Sequence, residues 1–261
     1  MKKLLLAVSA LAVFAAIDAA SAADMALKAP PPPPPVDPWA GWYVGVNIGG
    51  SWGRARDTTT YGAPPVLFAS TSSHLDGVIG GGQIGYNWRS SNWLFGLEAD
   101  IQGSGERGTA TSSFSLPTTC GVAAVFPCPT VATLADQEKI SWFGTLRART
   151  GVLAAPSWLF YVTGGLAYGG IQSNETLTVT GGPLPGGTVV NSFNKTRAGW
   201  TVGGGIEGVV SGNWTAKLEY LYMDFGTINY TYAGVAPFTP NFLSTHVTDN
   251  VLRVGLNYHF H

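Results

Sequence analysis

The histidines are the residues of this chain that could bind a metal ion or act as a general base. His74 and His246 lie in polar stretches, and the other two close the chain. The sequence contains no His-x-x-His and no Glu-x-x-His spacing, so a zinc-type ligand set is not indicated. His74 with Asp76, or His246 with Asp249, could pair a base with an acid, but solvated side chains explain both pairs more simply. We predict no metal site, no cofactor and no catalytic residue.

The two cysteines predict a covalent link rather than catalysis. Cys120 and Cys128 are separated by seven residues in a stretch rich in Thr, Ser and Pro. In an oxidising compartment, this spacing favours a local disulfide.

The first 22 residues indicate that the chain is exported. The basic pair Lys2-Lys3 precedes an apolar run at 4–17, and a small-residue cleavage site, Ala20-Ser21-Ala22, follows it. Cleavage is predicted between Ala22 and Ala23. Six consecutive prolines, Pro30 to Pro35, then predict an extended spacer.

Composition favours an all-β protein. Only 11% of the 261 residues are charged, 35 are glycine, and no apolar run beyond the N-terminus is long enough for a membrane helix. The net charge of −1 gives no reason to expect a nucleic-acid partner.

Residues of alternating polarity form eight segments, each expected to be a β-strand. The segments lie near 41–53, 76–88, 92–104, 139–153, 158–170, 198–210, 213–226 and 248–260. Short turns, at 89–91, 154–157 and 211–212, alternate with long polar connections, at 54–75, 105–138, 171–197 and 227–247. This alternation predicts an all-β, eight-stranded antiparallel up-and-down transmembrane β-barrel.

The tryptophans indicate which face of each strand meets lipid, because a soluble lipocalin-type barrel would also alternate. Eight of the nine share the apolar face of their strand and sit near a strand end, and Trp42 and Trp52 lie ten residues apart in one strand. That separation corresponds to about 25 Å of apolar height. Two aromatic girdles are therefore predicted: Trp42, Trp88, Trp93, Trp158, Trp214 and Phe260 at the end with the short turns, and Trp52, Trp142, Trp200 and Tyr168 at the other.

The charged residues of the strands share the opposite face. We predict that they form an inward network of four acids and four bases: Glu98, Asp100, Glu207, Glu219, Arg147, Arg149, Lys217 and Arg253. An eight-stranded barrel is only wide enough for side chains to fill it. A salt-bridged lumen is the favoured interpretation, and an ion pathway is the alternative.

The chain resembles the outer-membrane immunogenic proteins of alphaproteobacteria, relatives of opacity-type and OmpA-type barrels. The resemblance rests on Ala23-Asp24, on Trp39-Ala40-Gly41-Trp42-Tyr43-Val44-Gly45 and its continuation, on Gly82-Gln83-Ile84-Gly85-Tyr86-Asn87-Trp88, and on the last strand. It implies that the barrel-assembly machinery recognises the apolar residues at the end of the last strand, Leu256, Tyr258 and Phe260. His261 departs from the family's aromatic ending.

The resemblance also implies a domain plan and a role. Residues 1–22 would be the signal peptide, 23–40 a periplasmic proline-rich segment, and 41–261 an outer-membrane barrel with periplasmic termini and extracellular loops. The expected function is structural, in envelope integrity, with lipid and lipopolysaccharide as partners and a peptidoglycan tether through Ala23. A narrow porin-like channel and a loop-mediated adhesin are the alternatives.

Overall fold

The computed structural model describes residues 37–61, 66–116, 119–120, 126–127, 130–182, 186–232 and 241–260. The predicted signal peptide, Ala23, the proline run, Cys128 and His261 lie outside the described residues. The cleavage site and the disulfide therefore remain predictions. No helix long and apolar enough to cross a membrane occurs within the described ranges.

The architecture is an antiparallel barrel of eight long strands, which confirms the predicted fold class. These strands are β1 (Gly41–Tyr61), β2 (Val66–Ser90), β3 (Trp93–Leu116), β6 (Thr130–Ala155), β7 (Trp158–Thr180), β8 (Gly187–Ser211), β9 (Trp214–Tyr232) and β10 (Asn241–His259). They close in the order β1-β10-β9-β8-β7-β6-β3-β2. A separate two-stranded sheet pairs β4 (Thr119–Cys120) with β5 (Phe126–Pro127).

The strands are far longer than the sequence pattern predicted. They run from 19 to 26 residues, whereas a membrane crossing needs only about 9–11. The prediction of four long loops at 54–75, 105–138, 171–197 and 227–247 is wrong, because the strands continue through most of each stretch. Their Thr-rich composition explains the error, since threonine is common in loops yet also favours a pleated, half-buried strand.

Three tight turns lie at one end of the barrel, which we call the turn end; the opposite end is the loop end. The turns fall between Ser90 and Trp93, Ala155 and Trp158, and Ser211 and Trp214. Gly212 has φ +52°, a conformation that glycine adopts without steric cost. The three short connections agree with the predicted turns to within two residues.

An apolar band surrounds the outside of the barrel between two aromatic levels. Trp42 and Trp52 of β1 are both about half exposed, at 56% and 48%. Between them the outward side chains are aliphatic, such as Val46 and Ile48. We take this band as the membrane-spanning segment, Trp42–Trp52 in β1 and the corresponding levels of the other strands.

Two of the eight strand ladders stop before the loop end. The β2–β3 ladder ends at Asp76–Arg107, and the β8–β9 ladder ends at Trp200–Asp224. Beyond these points the remaining ladders of the described residues join the strands into two groups, β9-β10-β1-β2 and β3-β6-β7-β8. One apolar cluster, with members from both groups such as Val247 and Ile171, fills the space that they enclose.

Candidate functional site: a charge network in the lumen

The structure places all eight predicted network residues inside the barrel, each no more than 4% exposed. They project from five strands: Glu98 and Asp100 from β3, Arg147 and Arg149 from β6, Glu207 from β8, Lys217 and Glu219 from β9, and Arg253 from β10. Period-two alternation explains why all eight share the inner face, since neighbouring residues on each strand point outward to the apolar band.

Arg147 is the centre of the network. Its guanidinium contacts three acids: Nη1 lies 3.0 Å from Glu219 Oε1, Nη2 lies 3.0 Å from Asp100 Oδ2, and Nη2 also donates to Glu98. Nε donates to the hydroxyl of Thr145, at 2.8 Å. One side chain thus joins β6 to β3 on one side and to β9 across the lumen.

The other two central cations contact the same acids. Arg253 donates through Nε to Glu219 Oε2 at 2.8 Å and through Nη2 to Asp100 Oδ2 at 3.0 Å. Lys217 Nζ lies 2.9 and 2.8 Å from the two carboxylate oxygens of Glu98. Each acid is therefore shared between cations, which makes the centre one connected network rather than a set of separate pairs.

A second layer lies nearer the turn end, around Glu207. Arg149 Nη2 donates to Glu207 Oε2 at 2.8 Å, and Asn257 Nδ2 donates to Glu207 Oε1 at 2.8 Å. His259 is fully buried beside them, with Nε2 3.7 Å from Glu207 Oε1 and its ring stacked on Tyr43 at 5.2 Å. His259 was not predicted to belong to this cluster, although its even spacing from Arg253 puts it on the same face.

Trp39 covers the turn end of the lumen. It is fully buried, its Nε1 donates to the carbonyl of Pro156 at 2.9 Å, and its ring meets His259 edge-on at 6.4 Å. Asn87 Nδ2 donates to the Trp39 carbonyl at 3.0 Å, which fixes the chain before β1. Trp39 was predicted only as part of the N-terminal segment, because it precedes the first alternating residue and no periodicity marks it.

The layered arrangement fills the lumen and balances its charge. Four carboxylates face four permanent cations, and polar side chains such as Tyr43 and Tyr161 hydrogen-bond to the carboxylates at 2.7 and 2.9 Å. Buried charges are stable only when they are paired and hydrogen-bonded in this way. Within the described residues, no group of three His, Cys, Asp or Glu side chains is arranged to hold a metal ion.

A third polar layer, beyond the membrane-spanning segment, was missed in the sequence. Asp57, Asp136 and Glu138 are buried inside the loop end, where Thr71 donates to Asp136 at 3.0 Å and Ser73 donates to Glu138 at 3.0 Å. Burial raises the pKa of Glu138 to about 8, and the nearby carboxylates act in the same direction. Burial likewise raises the pKa of Asp57 to about 6 and moves that of Asp136 upward.

A signal for this layer was present in the sequence. In β6 the alternating residues Ala132, Leu134, Asp136 and Glu138 are all buried, and they continue the inward parity of the strand up to Ile140. The inward series was missed because residues 105–138 were predicted to be a loop.

The predicted girdle residues lie on the outer surface. Seven tryptophans are between 44% and 56% exposed, Trp142 and Tyr168 lie 6.1 Å apart near the loop-end level, and Phe260 is 48% exposed. The predicted insertion residues also face outward: Leu256 is 39% exposed, and Tyr258 lies edge-on to both Trp214 and Phe260. Phe260 N donates to the carbonyl of Trp42 at 2.8 Å, so the end of the chain is tied to β1.

Comparison with known proteins gives one family and several relatives. The family model described as outer membrane protein beta-barrel domain matches residues 8–260. The 31 kDa outer-membrane immunogenic protein of Brucella melitensis is 36% identical over 232 residues, which cover 85% of this chain and 84% of that protein. The 22 kDa outer membrane protein of Rhizobium leguminosarum is 29% identical over 152 residues, covering 58% and 54%. Among solved structures, the outer membrane protein OprG of Pseudomonas aeruginosa matches 85% of this chain and 97% of its own, with 11% identity and a TM-score of 0.46.

Proposed function

The chain belongs to the family of outer membrane protein β-barrels, and we propose that it is a structural, non-catalytic surface protein that supports the integrity of the envelope. The observation that carries this proposal is the lumen network, in which Arg147 contacts three carboxylates at the centre of the barrel. A lumen filled by shared ion pairs, and covered at the turn end by Trp39, favours a closed barrel over an open channel.

A deletion strain separates this role from that of a channel. Loss of a structural barrel is expected to make cells sensitive to detergent and to increase release of outer-membrane vesicles, while uptake of small solutes stays unchanged. Loss of a porin-like channel would instead slow solute uptake and leave detergent sensitivity unchanged. Complementation with the wild-type chain is the control for both measurements.

We propose that the turn end faces the periplasm and the loop end faces outward. Two features support this orientation: the turns at the turn end have two residues each, and the strands extend far beyond the apolar band at the other end. Short periplasmic turns and larger extracellular parts are the usual arrangement in outer-membrane barrels.

A tether to peptidoglycan through Ala23 is a further part of the proposal. Trp39 contacts Pro156 at the turn end, which is the end proposed to face the periplasm. The 14 residues from Ala23 to Val36 could span roughly 40 Å if extended as polyproline II. Muramidase digestion followed by mass spectrometry should find a muropeptide on the amino group of Ala23; an unmodified Ala23 terminus would exclude the tether.

The outward residues at the end of β10 are proposed as the contact for the barrel-assembly machinery. Phe260 and Leu256 are exposed on the lipid-facing side. Phe260→Ala should lower the amount of folded protein in the outer membrane at equal synthesis. Val46→Ala, at an outward position of β1 that is more exposed than Phe260, should not.

A further inference from the structure

A basic groove lies on the outer wall of the barrel, immediately beyond the loop-end aromatic girdle. Arg54 and Arg56 of β1, His74 of β2 and His246 of β10 line it, and Trp52 and Tyr222 belong to the same lining. Its volume is about 450 Å³. The strand ladders explain the convergence, because Arg54 pairs with His74 and Arg56 pairs with His246.

The groove sits where lipid headgroups meet a barrel. Arg54 is two residues beyond Trp52 on the same face of β1, which is about 7 Å along the strand. Tryptophan and tyrosine at the end of an apolar band mark the boundary between acyl chains and headgroups. A cation just past that boundary is therefore level with the phosphate groups of the leaflet.

The two arginines lack internal neutralisation. In the part of the chain that the structure describes, neither Arg54 nor Arg56 has a carboxylate within 4.0 Å, whereas the lumen arginines are all ion-paired. Arg54 Nη2 instead lies 3.5 Å from His74 Nε2, so two basic groups are held side by side. A neutral imidazole nitrogen can accept this hydrogen bond, so the contact supplies no counter-charge to the guanidinium.

The acids nearest to the groove do not cancel its charge. Asp224 Oδ1 lies 3.6 Å from His246 Nε2, so this carboxylate faces the histidine rather than the arginines. Asp76 is exposed and lies opposite Trp52 in the β1–β2 ladder. It is therefore level with the aromatic girdle and nearer to the apolar band than the two arginines. The upper half of the groove is left with two permanent positive charges.

We propose that this groove binds the phosphate groups of an outer-leaflet glycolipid such as lipopolysaccharide. Arginine suits this ligand because its planar donors match phosphate oxygens in pairs. Trp52 and Tyr222 would contact the sugar and the start of the acyl chains beneath the phosphate. The inference rests on the proposed function only in its orientation, with the loop end facing outward.

Titration of the purified, folded full-length protein with bisphosphorylated lipid A, followed by native mass spectrometry, tests the proposal. The wild-type protein is expected to bind lipid A, and fully dephosphorylated lipid A should bind at least about tenfold more weakly. Arg54→Gln combined with Arg56→Gln should show a similar loss, as expected when charge-assisted hydrogen bonds to phosphate are removed.

The matched control is Arg107→Gln combined with Lys139→Gln. These residues pair with each other across the neighbouring β3–β6 ladder and lie outside the groove. The control variant should bind lipid A like the wild type, and heat-dependent mobility on SDS gels confirms that both variants are folded.

Three outcomes would overturn the inference. Equal losses in the two double variants would assign binding to diffuse charge rather than to a groove. Displacement of lipid A by an equal concentration of inorganic phosphate would identify a small-anion site that does not select lipid. Unchanged affinity in the Arg54 and Arg56 variant would place the lipid elsewhere. None of these results alters the expected detergent sensitivity of the deletion strain.

Discussion

The guanidinium of Arg147 on β6 lies 3.0 Å from the carboxylate of Glu219 on β9, so a single ion pair bridges strands that are three positions apart around the barrel. A barrel whose walls are tied through its centre resists both collapse and opening. The same acid also accepts a hydrogen bond from Arg253, which links the pair to a third strand.

Arg147→Ala should destabilise the barrel strongly, because it leaves three carboxylates without their shared cation. Removing one partner of a buried ion pair typically costs about 3–5 kcal/mol. The expected result is a lower temperature for conversion of the folded to the unfolded band on SDS gels, and a lower free energy of unfolding by urea in lipid vesicles. Arg107→Ala, an exposed position on the outer face, is the control and should change little. Equal stability of the two variants would contradict the structural role of the network.

Trp39→Ala should open the turn end of the lumen. The substitution removes a fully buried ring and its hydrogen bond to Pro156, and such losses typically cost about 3–5 kcal/mol. Trp39→Phe keeps most of the packing but not the hydrogen bond. Its free energy of unfolding should therefore fall between those of the wild type and Trp39→Ala. If Trp39→Ala unfolds at the wild-type urea concentration, the ring does not act as a cover.

The loop-end layer of Asp57, Asp136 and Glu138 should loosen as the pH rises. Burial raises the pKa of Glu138 from its ordinary value of 4.5 to about 8 and that of Asp57 from 3.8 to about 6. The folded state therefore binds more protons than the unfolded state, and its stability falls as pH rises through about 4 to 8. Other charged or titratable groups near the layer are Glu175, which is buried opposite Asp136 in the β6–β7 ladder, and Tyr230, with Arg197 and Lys195 beside it.

Amide hydrogen exchange in the loop-end part of β6, corrected for the intrinsic effect of pH on exchange, measures this change. Protection should be lower at pH 8.5 than at pH 5 in the wild type, and Glu138→Gln should reduce the difference. Gln137→Glu adds a carboxylate to the exposed neighbouring position and should leave the difference as it is. Protection that increases with pH would contradict the assigned direction.

The orientation predicts which end antibodies can reach. An epitope inserted at Gly181-Gly182, which are exposed at the loop end, should be detected on intact cells. The same epitope at Gly212, in a turn-end connection, should be detected only after the outer membrane is permeabilised. The reverse pattern would place the long strand extensions in the periplasm.

Much of the membrane-level structure followed from the sequence, because period-two alternation sorts residues such as Trp52 and Arg253 to opposite faces of a strand. The pattern could not show the contacts inside the lumen, since which carboxylate Arg147 reaches depends on the stagger between strands. Nor could it show Trp39, whose position depends on how the chain folds back before β1. The extensions of the strands beyond the membrane level were not predicted, because their Thr-rich segments were taken for loops. Asp136 and Glu138 nevertheless continue the inward series of β6.

Planar lipid bilayer recording of the purified full-length protein tests the central claim, that the ion-paired lumen is closed, most directly. Insertion of the folded wild-type barrel should give no stable conductance steps, because Arg147 and Trp39 fill the path at two levels. A folded Arg147→Ala variant should give more frequent openings than the wild type. Steady, stepwise ion conductance by the wild-type protein would contradict the account and would identify the barrel as a narrow channel.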